Sequence, residues 1–386
     1  MSELFSNLNL DCNRRDFIKK SSGAMAALAF ASLPITVQAA PLRVTSLSLP
    51  ECLNLDPVTM ARKSPCIQAA YQYILTVANE IQNEDLRIRT LEILNNPAPT
   101  LMELYPAYRE KERVKQQLVS AGYIASDAQY EDFLPPYTTL EQSVIPFYAA
   151  PGSGYYSHHA YPGGLATHVA VNVKASLGFF NAYKDIYFLP MDRDIVLGAQ
   201  LLHDLHKPWV FQWQENGVSR TEYTIAGTGQ HHILSIAELI HRNFPPQLIV
   251  ALACAHNHPG TDNDEHDVVN WLKAASILAG KDPVDVGLLS STGKTLPLPR
   301  RTEGFLVHLG DHDFVLAGAA SKWMVAKLGD IAKAEYSFTE ADLKTSRFYA
   351  FRNYVFSQVT LDQLYLIWTI KGDEALIDMV KSIVNV

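Results

Sequence analysis

The sequence contains few cysteines, and their spacing excludes one class of metal site. Four cysteines occur in 386 residues, and no two are arranged as Cys-x-x-Cys, so a cysteine-based zinc site is not expected. Cys52 and Cys66 are candidates for a disulfide if the chain reaches an oxidising compartment. Cys254 lies in the apolar segment IVALACAH, where a small buried side chain is expected.

The chain also lacks an excess of positive charge. Its net charge is −8, with a pI of about 5.9, which disfavours nucleic-acid binding through a general basic surface. The aromatic-rich segment 346–368 is therefore expected to pack in the core and not to stack on bases. After residue 40, no apolar run is long enough to span a membrane.

Alternating strand patterns are rare, and helical patterns dominate. Apolar residues recur at three- and four-residue spacing in most segments after residue 64, which predicts an all-α fold. A short hairpin is predicted within 209–225, around Asn216-Gly217. The helices predicted around the histidine-rich part of the chain span 164–181, 192–206, 231–243, 246–257, 266–280 and 304–328.

The first forty residues predict an export signal and not a part of the fold. Arg14 and Arg15 are followed by a modestly apolar stretch, SSGAMAALAFASLPITVQAA (21–40). The arginine pair resembles a twin-arginine (Tat) signal, with cleavage expected after Ala39. The resemblance implies recognition by the Tat translocation machinery, a periplasmic or otherwise exported protein, and no stable membrane span after cleavage. An amphipathic N-terminal helix is the alternative.

Histidines are concentrated in the middle of the chain. All thirteen histidines lie in the segment from His158 to His312. Within it, LLHDLHKPW (201–209) places His203 beside Asp204 in an apolar run. Burying bare ionisable groups is costly, so we expect a bound cation to offset that cost. Mixed nitrogen and oxygen donors favour Mn, Fe, Co, Ni or Zn. For any single histidine, a satisfied core or cap residue is the alternative.

Two segments carry a resemblance to a known family. HHAYPGGLATH (158–168) precedes LLHDLHKP (201–208), and this order resembles the HD-domain superfamily of metal-dependent phosphohydrolases. The resemblance implies an all-α HD-domain helical bundle with an additional N-terminal helical region and a C-terminal helical extension. The expected divisions are the signal at 1–39, the N-terminal region at 40–139, the HD-type metal-binding domain at 140–330 and the extension at 331–386.

The resemblance implies a metal site built from four positions. His168 matches the first histidine of the family motif, and His203 and Asp204 match its His-Asp pair. Asp311 matches the final aspartate, and Asp313 is a weaker competitor for that position.

The family members that hold two metal ions imply further ligands in this chain. His232 and His256 match the extra histidines of those members, and Asp204 is expected to bridge the two ions. His258 is the rival to His256. The resemblance thus implies one or two divalent metal ions as cofactors.

Other residues are expected to serve the substrate. Asp204 and Lys207 are the implied catalytic residues, and Lys207 is the expected phosphate contact. His158 and His159 are expected to line the pocket or to orient ligands. The alternatives are a solvated surface position for Lys207 and a cap or loop role for the two histidines.

The sequence departs from the family pattern in two places. His206 stands where the family commonly has glycine, and it follows His203 by three residues. A shared helix face would bring His206 to the edge of the site. The segment 259–302 is an apparent insertion between His256 and Asp311, and it is expected to roof the site.

The function that the resemblance implies is metal-dependent hydrolysis of a phosphomonoester or phosphodiester by metal-activated water. The expected partner is a small phosphorylated substrate, with nucleotides among the candidates. Two alternatives stay open, an HD-fold di-iron oxygenase and a non-catalytic metal-binding HD module. A nuclease or relaxase-like role is disfavoured by the acidity of the chain and its expected export.

Overall fold

The protein is described here by a computed structural model over residues 43–299 and 302–385. The export signal predicted at 1–39 lies outside the described residues, as does Cys12. The chain from Val44 onward forms one compact unit.

The first part of this unit is helical. It contains a two-residue strand and two 3₁₀ turns, Thr100–Leu104 and Phe147–Ala149. The regular elements are β1 (Leu47–Ser48), α1 (Leu49–Leu53), α2 (Pro57–Lys63), α3 (Pro65–Ala78), α4 (Glu84–Asn95), α5 (Tyr108–Ser120) and α6 (Tyr130–Phe133).

The middle part holds the histidine-rich segments. Its elements are α7 (Gly164–Tyr187), α8 (Arg193–Leu202), α9 (Lys207–Val210), β2 (Thr224–Ile225), β3 (Thr228–Gly229), α10 (Gln230–His241), α11 (Pro246–Ala253) and α12 (His266–Leu278). β2 and β3 form a two-residue antiparallel hairpin.

The last part is again helical and returns to the start of the unit. Its elements are α13 (Glu303–Gly310), a 3₁₀ turn (Asp311–Asp313), α14 (Phe314–Tyr336), a 3₁₀ turn (Asp342–Lys344), α15 (Ser346–Gln358), α16 (Leu361–Lys371), α17 (Asp373–Ile383) and β4 (Val384–Asn385). β4 pairs in parallel with β1. The expected all-α class is confirmed, because every strand in the described chain has only two residues.

The core of the site-bearing region is built around α7 and α8. α7 packs against α3, α8 and α13, and α8 also packs against α11. All residues of α8 from Ile195 to Leu202 are buried, so both faces of this helix contribute apolar area to the core. The residues that follow α8 are therefore delivered to the interior of the protein.

Glycines at the start of α7 allow a loop to pack directly on the helix end. A Cβ placed on Gly164 would lie 1.9 Å from the carbonyl oxygen of His159, a distance that no side chain tolerates. Gly163 has φ of +88°, which glycine adopts at little cost. The Pro-Gly-Gly sequence thus fixes the loop that carries His158 and His159 beside His168.

Proline ends the helical path after α8. The helix 192–206 was predicted as continuous, but α8 ends at Leu202, and turns occupy 203–206. Pro208 has no N–H, and its ring would clash with the carbonyl of the residue four positions earlier, Asp204. His203 and Asp204 therefore lie in a buried turn and not on a regular helix.

Two further local predictions differ from the structure. The predicted helix 304–328 is interrupted by the 3₁₀ turn at Asp311–Asp313, which places Asp311 at a helix end. The predicted hairpin at 209–225 is reduced to one isolated bridge between Trp213 and Ser219. The regular hairpin lies further along, at β2 and β3.

The candidate cysteine pair does not form a disulfide bond. Cys52 and Cys66 are both free thiols, and Cys254 is buried as expected. Among the described residues, no helix combines the length and apolar character that crossing a bilayer requires.

Candidate metal centre

Four side chains predicted as metal ligands come together in the interior. His168 from α7, His203 and Asp204 from the turn after α8, and Asp311 from the 3₁₀ turn after α13 are all buried. Nε2 of His168 lies 3.2 Å from Oδ2 of Asp204 and 3.1 Å from Oδ1 of Asp311. Nε2 of His203 lies 3.2 Å and 3.3 Å from the same two oxygens. The four residues thus present two nitrogens and two carboxylate oxygens to one point.

A second group of ligand atoms shares one carboxylate with the first. Asp204, His231 and His256 bring one donor atom each within 4.8 Å of one another. Nε2 of His231 lies 3.4 Å from Oδ1 of Asp204. Nε2 of His256 lies 3.8 Å from Oδ2 of Asp311. Asp204 therefore presents Oδ2 to the first group and Oδ1 to the second.

The outer nitrogens of the first two histidines are held by partners outside this centre. Nδ1 of His168 lies 2.8 Å from Oδ1 of Asp313. Nδ1 of His203 lies 2.8 Å from the carbonyl oxygen of Gln200, to which it can only donate. In the neutral imidazole of His203, Nε2 then carries the lone pair, which is the state that binds metal.

The second pair of histidines is held in the same way. Nδ1 of His231 lies 2.7 Å from Oε2 of Glu222, and Nδ1 of His256 lies 3.1 Å from Oγ1 of Thr228. All four rings thus present Nε2 to the shared carboxylates while Nδ1 is anchored. Proteins commonly fix metal-binding imidazoles by such outer hydrogen bonds.

The unpartnered polar atoms at the centre fit a bound cation. Nε2 of His203, Nε2 of His231 and Oδ1 of Asp204 are buried without a hydrogen-bond partner. Such atoms are costly to bury, and a lone pair facing a carboxylate is repelled by it. A cation between these nitrogens and oxygens removes both penalties. The donor set of imidazoles and carboxylates suits Mn, Fe, Co, Ni or Zn.

The buried carboxylates of the first ligand group need positive charge nearby. Burial raises the pKa of Asp204, but His203 and Lys207 outweigh burial and hold it well below its ordinary value. Burial lowers the pKa of His203, but Asp204 and Asp311 outweigh burial and raise it to about 9. Two buried carboxylates at this point thus require positive charge, as a proton on His203 or as a metal ion.

Lys207 lies inside the centre. Its Nζ is 2.5 Å from Oδ2 of Asp204 and donates to the carbonyl oxygen of Gly152 at 2.5 Å. The side chain is buried, so a solvated surface position is excluded. The ammonium group of Lys207 thus pairs with the carboxylate of Asp204.

His158 and His159 lie on the outer side of His168. Nδ1 of His158 is 3.1 Å from Nδ1 of His159, and Nε2 of His159 is 3.5 Å from Oδ2 of Asp313. The ligand atoms of His158, His159 and His168 also form a third group that can hold an ion. Burial lowers the pKa of His158 to about 2 and of His159 to about 3, so both rings are neutral.

His206 does not reach the centre, which corrects the expectation from its spacing. Its Nε2 lies 3.1 Å from Oε2 of Glu238, and its ring packs edge-on against Trp209. The turn after α8 breaks the helical periodicity, so His203 and His206 do not share a face. His206 belongs to a buried polar network on the far side of the turn.

The structure distinguishes between neighbouring histidines at two positions. Nε2 of His232 donates a hydrogen bond to the carbonyl oxygen of Ala253 at 3.2 Å. The ring of His232 stacks on the ring of His256, with 4.1 Å between the ring centres. His232 supports His256 from behind, and His231 takes the position predicted for His232. Nδ1 of His258 bonds the carbonyl oxygen of Pro259, so His256 and not His258 joins the centre.

The centre opens into a cavity of about 370 Å³. Among the described residues its walls come from outside the segment 259–302, so the expected roof is wrong. In that segment α12 packs on α10, and Pro259 lines a separate apolar cavity of about 150 Å³. The segment 259–302 thus contributes to the hydrophobic core and does not cover the metal cavity.

Several residues around the centre were not predicted from the sequence. They are Glu222, Thr228, Asn172, His308 and His312. Asn172 donates to Oδ1 of Asp311 at 2.9 Å, and it follows His168 by one helical turn, a spacing that marks a shared face. Glu222 lies just before the β2–β3 hairpin, where no helical pattern identifies it. His308 and His312 line the cavity.

Comparison with known proteins gives one distant relative. The chain is 26% identical over 183 residues to dihydroneopterin 2',3'-cyclic phosphate phosphodiesterase from Methanocaldococcus jannaschii. The match covers 47% of this chain and 58% of the relative, so the chain spans less than two thirds of the relative's length. No family model matches the chain, and no solved structure matches it. The chain is therefore a distant homologue of a phosphodiesterase and carries buried His/Asp groups able to hold metal ions.

Proposed function

We propose that the protein is a divalent-metal-dependent phosphohydrolase that cleaves a phosphodiester or phosphomonoester with water. The observation that carries the proposal is the position of Asp204, which presents one carboxylate oxygen to each of two ligand groups. A bridging carboxylate between two sets of imidazoles is suited to two ions a few ångströms apart.

A divalent ion held by these residues would polarise the phosphoryl group of the substrate and lower the pKa of a bound water. The chain's own residues supply the rest. Asp313 and Glu222 hold the outer nitrogens of His168 and His231, which fixes both rings. Lys207 places a positive charge beside Asp204, where it attracts a phosphoryl oxygen and stabilises the negative charge that develops there.

The proposed substrate is a small phosphoester. A cavity of about 370 Å³ accommodates the phosphoryl group and a modest organic part. The named activity of the distant relative is cleavage of a 2',3'-cyclic phosphodiester. We therefore take 2',3'-cyclic phosphodiesters as the first substrates to test, with nucleotides as the accessible examples.

The test combines metal content and hydrolysis in one preparation. The full chain is stripped of metal, reloaded with Mn, Fe, Co, Ni or Zn, and assayed with bis(p-nitrophenyl) phosphate and adenosine 2',3'-cyclic phosphate. We expect at least one metal to restore hydrolysis of a phosphoester. Asp204→Asn lowers the rate of hydrolysis by at least about 100-fold, because both ions lose a negatively charged ligand. Asp185→Asn, at an exposed position on α7, serves as the matched control.

Two results would overturn the proposal. Loaded protein that hydrolyses none of the phosphoesters would remove the phosphohydrolase assignment. Turnover that consumes dioxygen with bound iron would support the oxygenase alternative instead.

We also propose that the protein is exported through the Tat pathway and that its signal is cleaved behind Ala39. The support is the Arg14-Arg15 pair and the apolar stretch that follows it. Arg14→Lys with Arg15→Lys is expected to retain the protein in the cytoplasm of an expressing bacterium, as measured by cell fractionation. The divisions at 40–139, 140–330 and 331–386 are likewise proposed, and limited proteolysis tests them.

A further inference from the structure

A second, larger cavity lies beside the proposed metal centre. It has a volume of about 800 Å³ and lies between α14 and α15, with the loop at Tyr155–His158 along one side. His158 lines this cavity and the cavity of the metal centre. The two cavities therefore adjoin each other at His158.

The lining of this cavity is cationic, although the whole chain is acidic. Its titratable residues include Lys322, Lys344 and Arg352, and none is an aspartate or glutamate. Lys322 and Lys344 are exposed, and neither forms an ion pair in the described chain. A cavity with three cations and no carboxylate attracts an anion, in contrast to the net charge of −8.

Arg352 adds a charge that the protein does not neutralise. Its side chain is 2% exposed, and Nη2 donates to the carbonyl oxygen of Tyr155 at 2.8 Å. Nε and Nη1 are buried without a hydrogen-bond partner. A buried charge without an ionic partner is costly, and an anion in the neighbouring cavity would offset part of that cost.

The walls also offer flat aromatic surface. The ring of Tyr155 packs edge-on against Tyr156 at 5.1 Å and against Tyr349 at 5.2 Å. The guanidinium of Arg352 lies 3.9 Å from the centre of the Tyr155 ring. Tyr156 is 83% exposed, so its ring is accessible to a ligand in the cavity. Tyrosine rings in this arrangement favour a planar aromatic ligand.

We propose that this cavity is a substrate-recognition subsite that binds a planar aromatic group carrying negative charge. It rests on the proposed function, because the scissile phosphoester is assigned to the neighbouring metal centre. The substrate class is thus a phosphoester whose organic part holds an aromatic ring and a second anionic group. Lys322, Lys344 and Arg352 recognise the second anion, and the tyrosines recognise the ring.

The first test measures binding without any hydrolysis. The probe is naphthalene-1,5-disulfonate, a planar aromatic dianion without a phosphoester, and naphthalene-1,5-diol is its uncharged counterpart. The full chain binds the dianion at least about tenfold more tightly than the diol. Lys322→Glu with Lys344→Glu lowers the affinity for the dianion by a further tenfold or more, since attraction becomes repulsion.

The matched control is Lys184→Glu, an exposed lysine on α7 that lies outside this lining, and its affinity for the dianion stays at the wild-type value. Equal affinity in the double variant and the wild type would overturn the proposal, as would the absence of binding. Circular dichroism spectra of the variants establish that each is folded.

The second test links the cavity to the substrate. Adenosine 2',3'-cyclic phosphate is compared with its 5'-phosphorylated form, which adds a second anion to the same ring system. In the wild type, the 5'-phosphorylated compound has the lower KM. In the double lysine variant, the KM values of the two compounds become equal, while kcat for each compound stays at its wild-type value. An equal KM for both compounds in the wild type would show that the cavity does not serve the substrate.

The two tests also separate this proposal from the proposed function. If neither the nucleotides nor bis(p-nitrophenyl) phosphate is hydrolysed, the phosphohydrolase assignment is overturned and with it the substrate role of the cavity. The binding of the dianion still decides whether the cavity recognises aromatic anions.

Discussion

Oδ1 of Asp313 lies 2.8 Å from Nδ1 of His168, on the opposite side of the ring from Nε2, which faces Asp204 and Asp311. A carboxylate behind a metal-binding imidazole fixes the orientation of its ring and makes the facing nitrogen a stronger donor. Asp313 is thus placed to position His168, while Asp311 is placed to bind the ion.

We expect Asp313→Asn to weaken metal binding by roughly 10- to 100-fold, because the ring of His168 loses its anionic partner. The dissociation constant is measured by competition with a fluorescent chelator. Asp378→Asn, at an exposed position on α17, is the control with unchanged affinity. An unaltered dissociation constant in the Asp313 variant would show that this contact does not position a ligand.

Glu222 offers a test that is specific to the second ion. Its carboxylate holds Nδ1 of His231, and His231 belongs only to the second ligand group. Glu222→Gln is expected to lower the number of bound ions per chain from two toward one at limiting metal concentration. Elemental analysis after gel filtration measures the stoichiometry. Two ions per chain in this variant, at the wild-type affinity, would contradict the assigned role.

A buried carboxylate away from the metal centre predicts how stability depends on pH. Oε2 of Glu238 accepts hydrogen bonds from the backbone N–H of Leu101 at 2.9 Å and faces Nε2 of His206 at 3.1 Å. Burial raises the pKa of Glu238, but His206 and Arg242 outweigh burial and lower it to about 2. Because the folded pKa lies below the unfolded value, the stability it contributes is present above about pH 4.3 and is lost as the pH falls toward 2.

Glu238→Gln is therefore expected to lower the free energy of unfolding at pH 7 by about 3 kcal/mol. The difference between variant and wild type shrinks as the pH falls from about 4.5 toward 2. Urea unfolding over a pH series measures both effects, and Glu92→Gln, at an exposed position on α4, is the control. A difference that stays constant over this pH range would contradict the low pKa of Glu238.

The sequence predicted the all-α class and the four residues His168, His203, Asp204 and Asp311 as neighbours. Apolar periodicity marked the helices, whereas the four residues were implied by the resemblance of HHAYPGGLATH and LLHDLHKP to the HD-domain superfamily. These residues come from three separate segments, and their meeting depends on how α7, α8 and α13 pack.

The remaining site residues depend on details that the sequence does not contain. His231 and His232 are adjacent, and one position along a helix rotates a side chain by about 100°, so only the packing of α10 decides which ring faces Asp204. His206 was expected beside His203 because of helical spacing, but Pro208 breaks that spacing. Glu222 lies in irregular chain, where no periodicity links it to His231.

The most direct test of the account is an anomalous-diffraction map of crystals of the full chain grown with Mn. We predict two anomalous peaks about 3.5 to 4 Å apart, one beside Nε2 of His168 and His203 and one beside Nε2 of His231 and His256, with Asp204 between them. A map without a peak at Asp204, or with manganese bound only elsewhere, would contradict the central claim.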